Sequence, residues 1–299
     1  SAGGRHTCAV NKAGTVWCWG KNKTGQLGDG TTVDRRQPVQ VQGIDSAVRV
    51  HAGAEHTCAL LKDATVRCWG WNLFGQLGHA SEKNFSKTPV PLAVELEVKR
   101  LAAGGFHNCV VASGGKVFCW GKNDVGQLGL GDDKHRREPH EVKGLAKAVE
   151  ISAGGAHTCA VQESGAAACW GRNASGQLGS GRKEKVVKAP TEVKSLEGVQ
   201  RISAGGGYLG GFTCALDKKE RVWCWGNNLY GQVGGDQGTN YRKPRRVKGL
   251  SKVLAIETGG LHSCAVMEGG ITKCWGRNSD GQLGVGGTED VTKPTVVQR

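Results

Sequence analysis

The sequence predicts an all-β fold, a propeller of six four-stranded antiparallel units, and three observations carry that prediction. GQLG recurs at 25–28, 75–78, 126–129, 176–179 and 281–284, with GQVG at 231–234, a period of 50 to 55 residues. Between the copies run short β-branched stretches bounded by turn residues, with no 3.6-residue apolar period. Glycine is abundant, 49 of 299 residues, yet there are only 7 prolines and no every-third-residue glycine, which excludes collagen and proline-rich linkers.

Each unit reads in a fixed order, for which 48–98 serves as the example. Its first strand, Val48–Ala52, ends in Ala-Gly and belongs innermost, where backbones converge and side chains have least room. The second, His56–Leu61, carries HTC, and the third, Thr65–Trp69, carries CW. A long loop holds Asn72 and GQLG, and a fourth strand, Pro89–Val94, lies outermost, where a proline lacking its N–H is tolerated. Four-stranded meanders repeated about an axis leave only short, protected edges. The units fall at 1–47, 48–98, 99–148, 149–198, 199–252 and 253–299 of a single domain. Ser1–Gly4 is the tail of an innermost strand whose apolar part is missing, so the count is six blades, or seven if further residues precede Ser1.

By AGGxHT, WGxNxxGQLG and the loop proline, the whole chain resembles the regulator-of-chromosome-condensation repeat family. The resemblance implies a propeller, usually of seven blades, and for its nuclear members nucleotide exchange on a small GTPase with chromatin binding. A light-sensing member uses clustered Trp inside the AGGxHT segment; that position here holds Arg5, Glu55, Phe106, Ala156 or Leu261, which argues against photoreception.

The 12 cysteines form pairs ten residues apart: Cys8 and Cys18, Cys58 and Cys68, Cys109 and Cys119, Cys159 and Cys169, Cys214 and Cys224, Cys264 and Cys274. In each pair one lies on the second strand and one on the third. Facing residues of a hairpin approach to about 4.5 Å between Cα atoms, within disulfide reach. Buried reduced thiols are the alternative, and zinc fits less well because ligand pairs normally sit two to five residues apart. Six disulfides place the chain in an oxidising compartment: secreted, cell surface or periplasmic. No run of 18 apolar residues is present to span a membrane as a helix.

Trp19, Trp69, Trp120, Trp170, Trp225 and Trp275 share one position and read as fillers between sheets. The Asn before each GQ reads as a turn residue, and His6, His56, His107, His157 and His262, two before the first Cys in five units, as turn or core residues. No HExxH, GxSxG or P-loop occurs, so neither enzyme activity nor a cofactor is expected; Gly205–Gly210 matches GxGxxG without a strand-to-helix context.

Function is therefore sought where the frame is broken. The first-to-second and third-to-fourth connections fall on one face of a meander ring. There, units two and five carry Trp71, Phe74, Phe85, Tyr230 and Tyr241, and unit five inserts residues around Tyr208 and Leu209. Loop aromatics are frequent binding hot spots, so these residues are the candidates for a protein partner. Arg36, Lys87, Arg137, Lys188 and Arg242 stand two residues before the loop proline, a near-ring of cations within a net charge of +14. An acidic polymer or nucleic acid is the competing partner class, and an extracellular adhesin or matrix component the competing role.

Overall fold

A computed structural model of the chain describes residues 1–207 and 210–298. Six antiparallel sheets surround a central channel of about 600 Å³ lined by inner-strand residues of five sheets and by Ser1–Gly4. The chain is an all-β, six-bladed propeller. Blade 2 shows the repeat: Ala47–Ala52, His56–Leu61, Val66–Trp71 and Phe85–Pro91, hydrogen-bonded in sequence order. Blades 3 to 6 begin with the inner strands Val98–Ala103, Ala148–Ala153, Val199–Gly206 and Val253–Thr258. Blade 1 has three strands, His6–Val10, Val16–Gly20 and Arg35–Gln40. Ser1–Gly4 runs where an inner strand would end, through an Ala2–Thr7 bridge and the bond from Gly4 N–H to Gly53 C=O.

The glycines of the inner strands are needed because successive backbones meet at the axis. A Cβ on Gly104 would lie 2.6 Å from the Gly154 carbonyl oxygen, and one on Gly53 would lie 2.6 Å from that of Gly104. The outer strand begins earlier than the sequence suggests, at Phe85 rather than Pro89. Cys68 pairs with Val90 and Gly70 with Ser86, so two extra residues bulge between them, and Pro89 sits in that bulge, where no ladder N–H is required.

All six cysteine pairs are disulfides joining facing residues of the second and third strands, with Cα atoms 4.1 Å apart. They close each hairpin from inside the core rather than tying blade to blade.

Adjacent blades are held by five hydrophobic clusters, one at each junction from 1–2 to 5–6. Each holds a fully buried tryptophan of the following blade: Trp69, Trp120, Trp170, Trp225 or Trp275. A polar relay accompanies it. The Trp69 Nε1–H donates to the Gln26 carbonyl at 2.9 Å, and so does the Thr57 hydroxyl, also at 2.9 Å. With that hydroxyl proton committed, Thr57 Oγ1 accepts from His6 Nε2–H at 2.7 Å, which fixes the histidine tautomer. The same bonds recur from Trp170 and Thr158 to Gln127, and from Trp225 and Thr213 to Gln177. Burying the Trp69, Trp170 and Trp225 indoles and the Thr57, Thr158 and Thr213 hydroxyls is tolerable because each finds a partner in the neighbouring blade.

The sixth flank, between blades 6 and 1, is different. Trp19, Thr7, His262 and Cys264 are only half-buried, although their counterparts at the other junctions are almost entirely enclosed. Val266 is 38% exposed, whereas Val111 and Val161 at the same position are 3% and 0% exposed.

Candidate binding face

The AGxxH turns and the long loops share one face. Trp71 N–H donates to Glu55 C=O, Lys122 N–H to Phe106 C=O and Arg172 N–H to Ala156 C=O, tying the end of each third strand to the turn before its second. Six asparagines then shape the loops. Asn72 Oδ1 accepts the Leu77 N–H at 3.0 Å while its Nδ2 donates to Lys83 C=O at 3.0 Å, so one buried side chain holds both the GQLG turn and the loop beyond. Asn22, Asn123, Asn173, Asn228 and Asn278 repeat this arrangement.

On this scaffold the aromatic candidates separate into two groups. Trp71, at the end of its strand, lies 5.5 Å from Phe74 and 5.1 Å from Phe106 between ring centroids, all in edge-to-face geometry. His135 stacks edge-on against Phe74 at 5.0 Å, and Lys122 places its ammonium 4.9 Å above Phe74 and 5.7 Å above Phe106. Phe85 pairs with Trp71 across the third and fourth strands and is 40% exposed. Trp71, Phe74, Phe106 and His135 make one partly open aromatic patch across blades 2 and 3, with Phe85 on the strand beside Trp71. Burial disfavours protonation of His135, as does Lys122, while Asp124 opposes them; the net effect lowers its pKa.

Tyr230 and Tyr241 do not join that patch. Tyr230 faces the Arg277 guanidinium at 5.9 Å, and Tyr241 packs against two junction clusters with Arg245 4.8 Å from its ring. Tyr208 and Leu209 lie outside the described residues. Beside them Phe212 takes the position that histidine holds in the other units and is fully buried in the 5–6 junction.

The near-ring of cations is built into the blade contacts. The Cα of Lys188 would meet a Cβ on Gly126 at 2.6 Å, and the Cα of Arg242 would meet one on Gly176 at 2.7 Å. Lys87, Lys188 and Arg242 each accept a glycine N–H of the preceding blade on their carbonyls. The Arg137 and Arg242 guanidiniums donate to Ser81 C=O and Arg182 C=O, each at 3.2 Å, and Lys188 pairs with Asp133 at 2.8 Å. Arg36 stands exposed at the blade 1 flank. These side chains pin each loop to its neighbour and offer a broken, partly neutralised rim rather than a continuous cationic track.

Phe106 was the residue that sequence reasoning passed over. It occupies a variable AGxxH position in its own unit, and only the neighbouring blade brings it to Trp71.

The family model described as "RCC1-like domain" matches residues 1–299. The chain belongs to the RCC1-like domain family. This RCC1-like domain is 33% identical over 302 residues to E3 ubiquitin-protein ligase HERC2 of Homo sapiens, matching 99% of the chain but only 5% of HERC2. It is 33% identical over 307 residues to the ultraviolet-B receptor UVR8 of Arabidopsis thaliana, matching all of the chain and 69% of the receptor. Among solved structures, human WBSCR16 superposes with a TM-score of 0.89 at 24% identity, over all of the chain and 80% of that protein. Yeast RCC1 (Prp20), solved bound to Kap60, superposes with a TM-score of 0.85 at 23% identity, over all of the chain and 74% of that protein. The RCC1-like domain spans about a twentieth of HERC2, so that ligase's activity does not transfer with the likeness.

Proposed function

We propose that this RCC1-like domain is a non-enzymatic binding scaffold of an oxidising compartment, secreted, at the cell surface or periplasmic, that captures a protein on its long-loop face. The observation that carries the reading is the Trp71–Phe74–Phe106 patch: three rings in edge contact, partly open, on loops held by buried asparagines. Rigid aromatic anchors supply contact area at small entropic cost, the usual chemistry of an interface hot spot. The six disulfides support the compartment, since such bonds persist where thiols are not kept reduced.

Affinity capture from the native source, with Trp71→Ala/Phe106→Ala as the comparison, tests the face. Loss of the captured protein with an unchanged circular dichroism spectrum supports it, and undiminished capture overturns it.

A second reading has its own support. Another solved relative, Prp20p from Saccharomyces cerevisiae, is described with its binding to Gsp1p and histones, and the chain here carries a net charge of +14. Nucleotide exchange on a small GTPase with chromatin association is that reading; accelerated nucleotide release from a GTPase by the protein with its cysteines reduced would favour it.

A further inference from the structure

In each of blades 2 to 6 the ladder between the first and second strands gains one extra residue at the same place, between Ala47 and Arg49 in blade 2 and between Val98 and Arg100 in blade 3. A bulge of this kind re-aims the side chain beside it. The residues that follow the bulges in blades 2 to 5 are Arg49, Arg100, Glu150 and Arg201, and all four line the central channel. One repeated device thus brings three guanidiniums and one carboxylate together.

Their contacts leave the charges unequal. Arg201 Nη1 donates to Glu150 Oε2 at 2.7 Å, and Arg100 Nε approaches the same oxygen from the preceding blade at 3.9 Å, too far for a hydrogen bond. Arg100 is anchored by a bond from Nη1 to the Lys99 carbonyl at 3.0 Å, and its Nε–H is enclosed without an acceptor. Buried donors are almost always satisfied, so this one marks a place for an acceptor that the chain does not supply. Arg49 has neither an ion pair nor a hydrogen bond among the described residues, and its charge is felt at His51, whose pKa is pushed down to about 4 by burial first and then by Arg49. Glu257 is the second carboxylate lining the channel. Burial raises its pKa against a bond from Ser203, with Glu150 raising it further and Arg201 lowering it. Even with both carboxylates ionised, three guanidiniums leave an excess of positive charge, and it lies on the Arg49 and Arg100 side because Glu150 takes up Arg201.

We infer that the channel is a binding site for a small oxyanion, a phosphorylated or polycarboxylate compound, held against the guanidiniums of Arg49 and Arg100. A volume of about 600 Å³ suits a small molecule and is too small for a folded partner. Low-dielectric walls focus the field of like charges onto such a ligand, and the guanidinium fork matches the paired oxygens of phosphate and carboxylate. Glu150 competes with the ligand for Arg100 and Arg201.

Isothermal titration calorimetry of the full chain with pyrophosphate and, separately, with citrate tests the site. The expected result is saturable binding of at least one probe, one per chain, and the tighter probe names the source of the oxyanion. Arg49→Gln/Arg100→Gln should weaken that binding by about tenfold or more. Lys143→Gln/Lys194→Gln, an equal loss of charge at exposed lysines just past the outer strands of blades 3 and 4, should change it by less than about twofold. Glu150→Gln should tighten it by about threefold or more, a gain that misfolding does not produce. Absence of saturable binding of either probe up to about 10 mM overturns the inference. So does equal weakening in the two double variants, which makes the attraction one of net charge, or a Glu150→Gln protein that binds no more tightly. If the Arg49→Gln/Arg100→Gln protein does not fold, Glu150→Gln alone decides.

Discussion

Junction 3–4 and the flank between blades 6 and 1 are built from the same residue types and end in opposite environments. Trp170 is fully buried and hydrogen-bonded at the first, while Trp19 is half-buried at the second; Cys109 is enclosed, while Cys264 is not. Residue type in the repeat therefore sets what a position is able to bury, and the presence of a neighbouring blade sets whether it does. The difference also separates two kinds of stabilisation. Cross-strand pairing and disulfides are internal to a blade, the disulfide being present in all six, whereas tryptophan, histidine and threonine act between blades.

The largest test of that contrast is truncation of the tryptophans. Trp170→Ala should cost about 3–5 kcal/mol, as large-to-small changes in packed cores do, and should leave the Gln127 carbonyl without its indole partner. Trp19→Ala should cost well under half as much, a comparison that equilibrium denaturation in urea makes directly; equal losses would break the distinction.

Acid should act through the buried histidines. Burial lowers His56 and His157 to about 4 and His107 to about 3, with His157 and His56 adding repulsion on His107; His6 is lowered to about 4, mainly by burial with repulsion from His56. The unfolded chain binds these protons below its ordinary value of about 6.5 while the folded chain does not, so stability is full above that pH and falls as pH drops toward 4. Each such histidine contributes up to about 1.4 kcal/mol per pH unit in that window. His107→Gln should flatten the profile measurably, and His262→Gln should flatten it less, because its half-open setting lowers its pKa less far.

Disulfide access gives a third, smaller measure. Limited dithiothreitol with mass mapping should open Cys264–Cys274 before Cys159–Cys169, because a thiolate must reach sulfur and only the first pair borders open space. Simultaneous opening would mean that the flank is covered in solution.

The smallest effect belongs to the rim. Arg137→Ala removes an exposed bond to Ser81 C=O and should cost less than about 1 kcal/mol in a thermal melt.

The repeat frame was legible because its residues act locally. Cys109 and Cys119 face each other once a hairpin forms, Asn123 closes its own turn onto Leu128, and glycine at the axis is required wherever strands converge. The disulfide pairing, the inner strand and the filling of the junctions by Trp69, Trp120, Trp170, Trp225 and Trp275 followed from spacing, whereas Trp19 is half-buried. The outer-strand start was misplaced at Pro89 because a bulge depends on the partner strand's register. The aromatic site was half legible: Trp71, Phe74 and Phe85 stood out as departures from the frame, but Tyr230 and Tyr241 stood out equally and are engaged elsewhere.

By itself, the sequence determined the blade, its strand order and its cross-linked hairpin, since these depend on contacts within about 50 residues and on backbone sterics that the side-chain pattern encodes. Only the tertiary structure decided which departures meet and which faces remain open. Phe106 reaches Trp71, and Trp19 lacks the cover that Trp170 has, through the placement of whole blades around an axis, a relation between units that no single unit's residues contain.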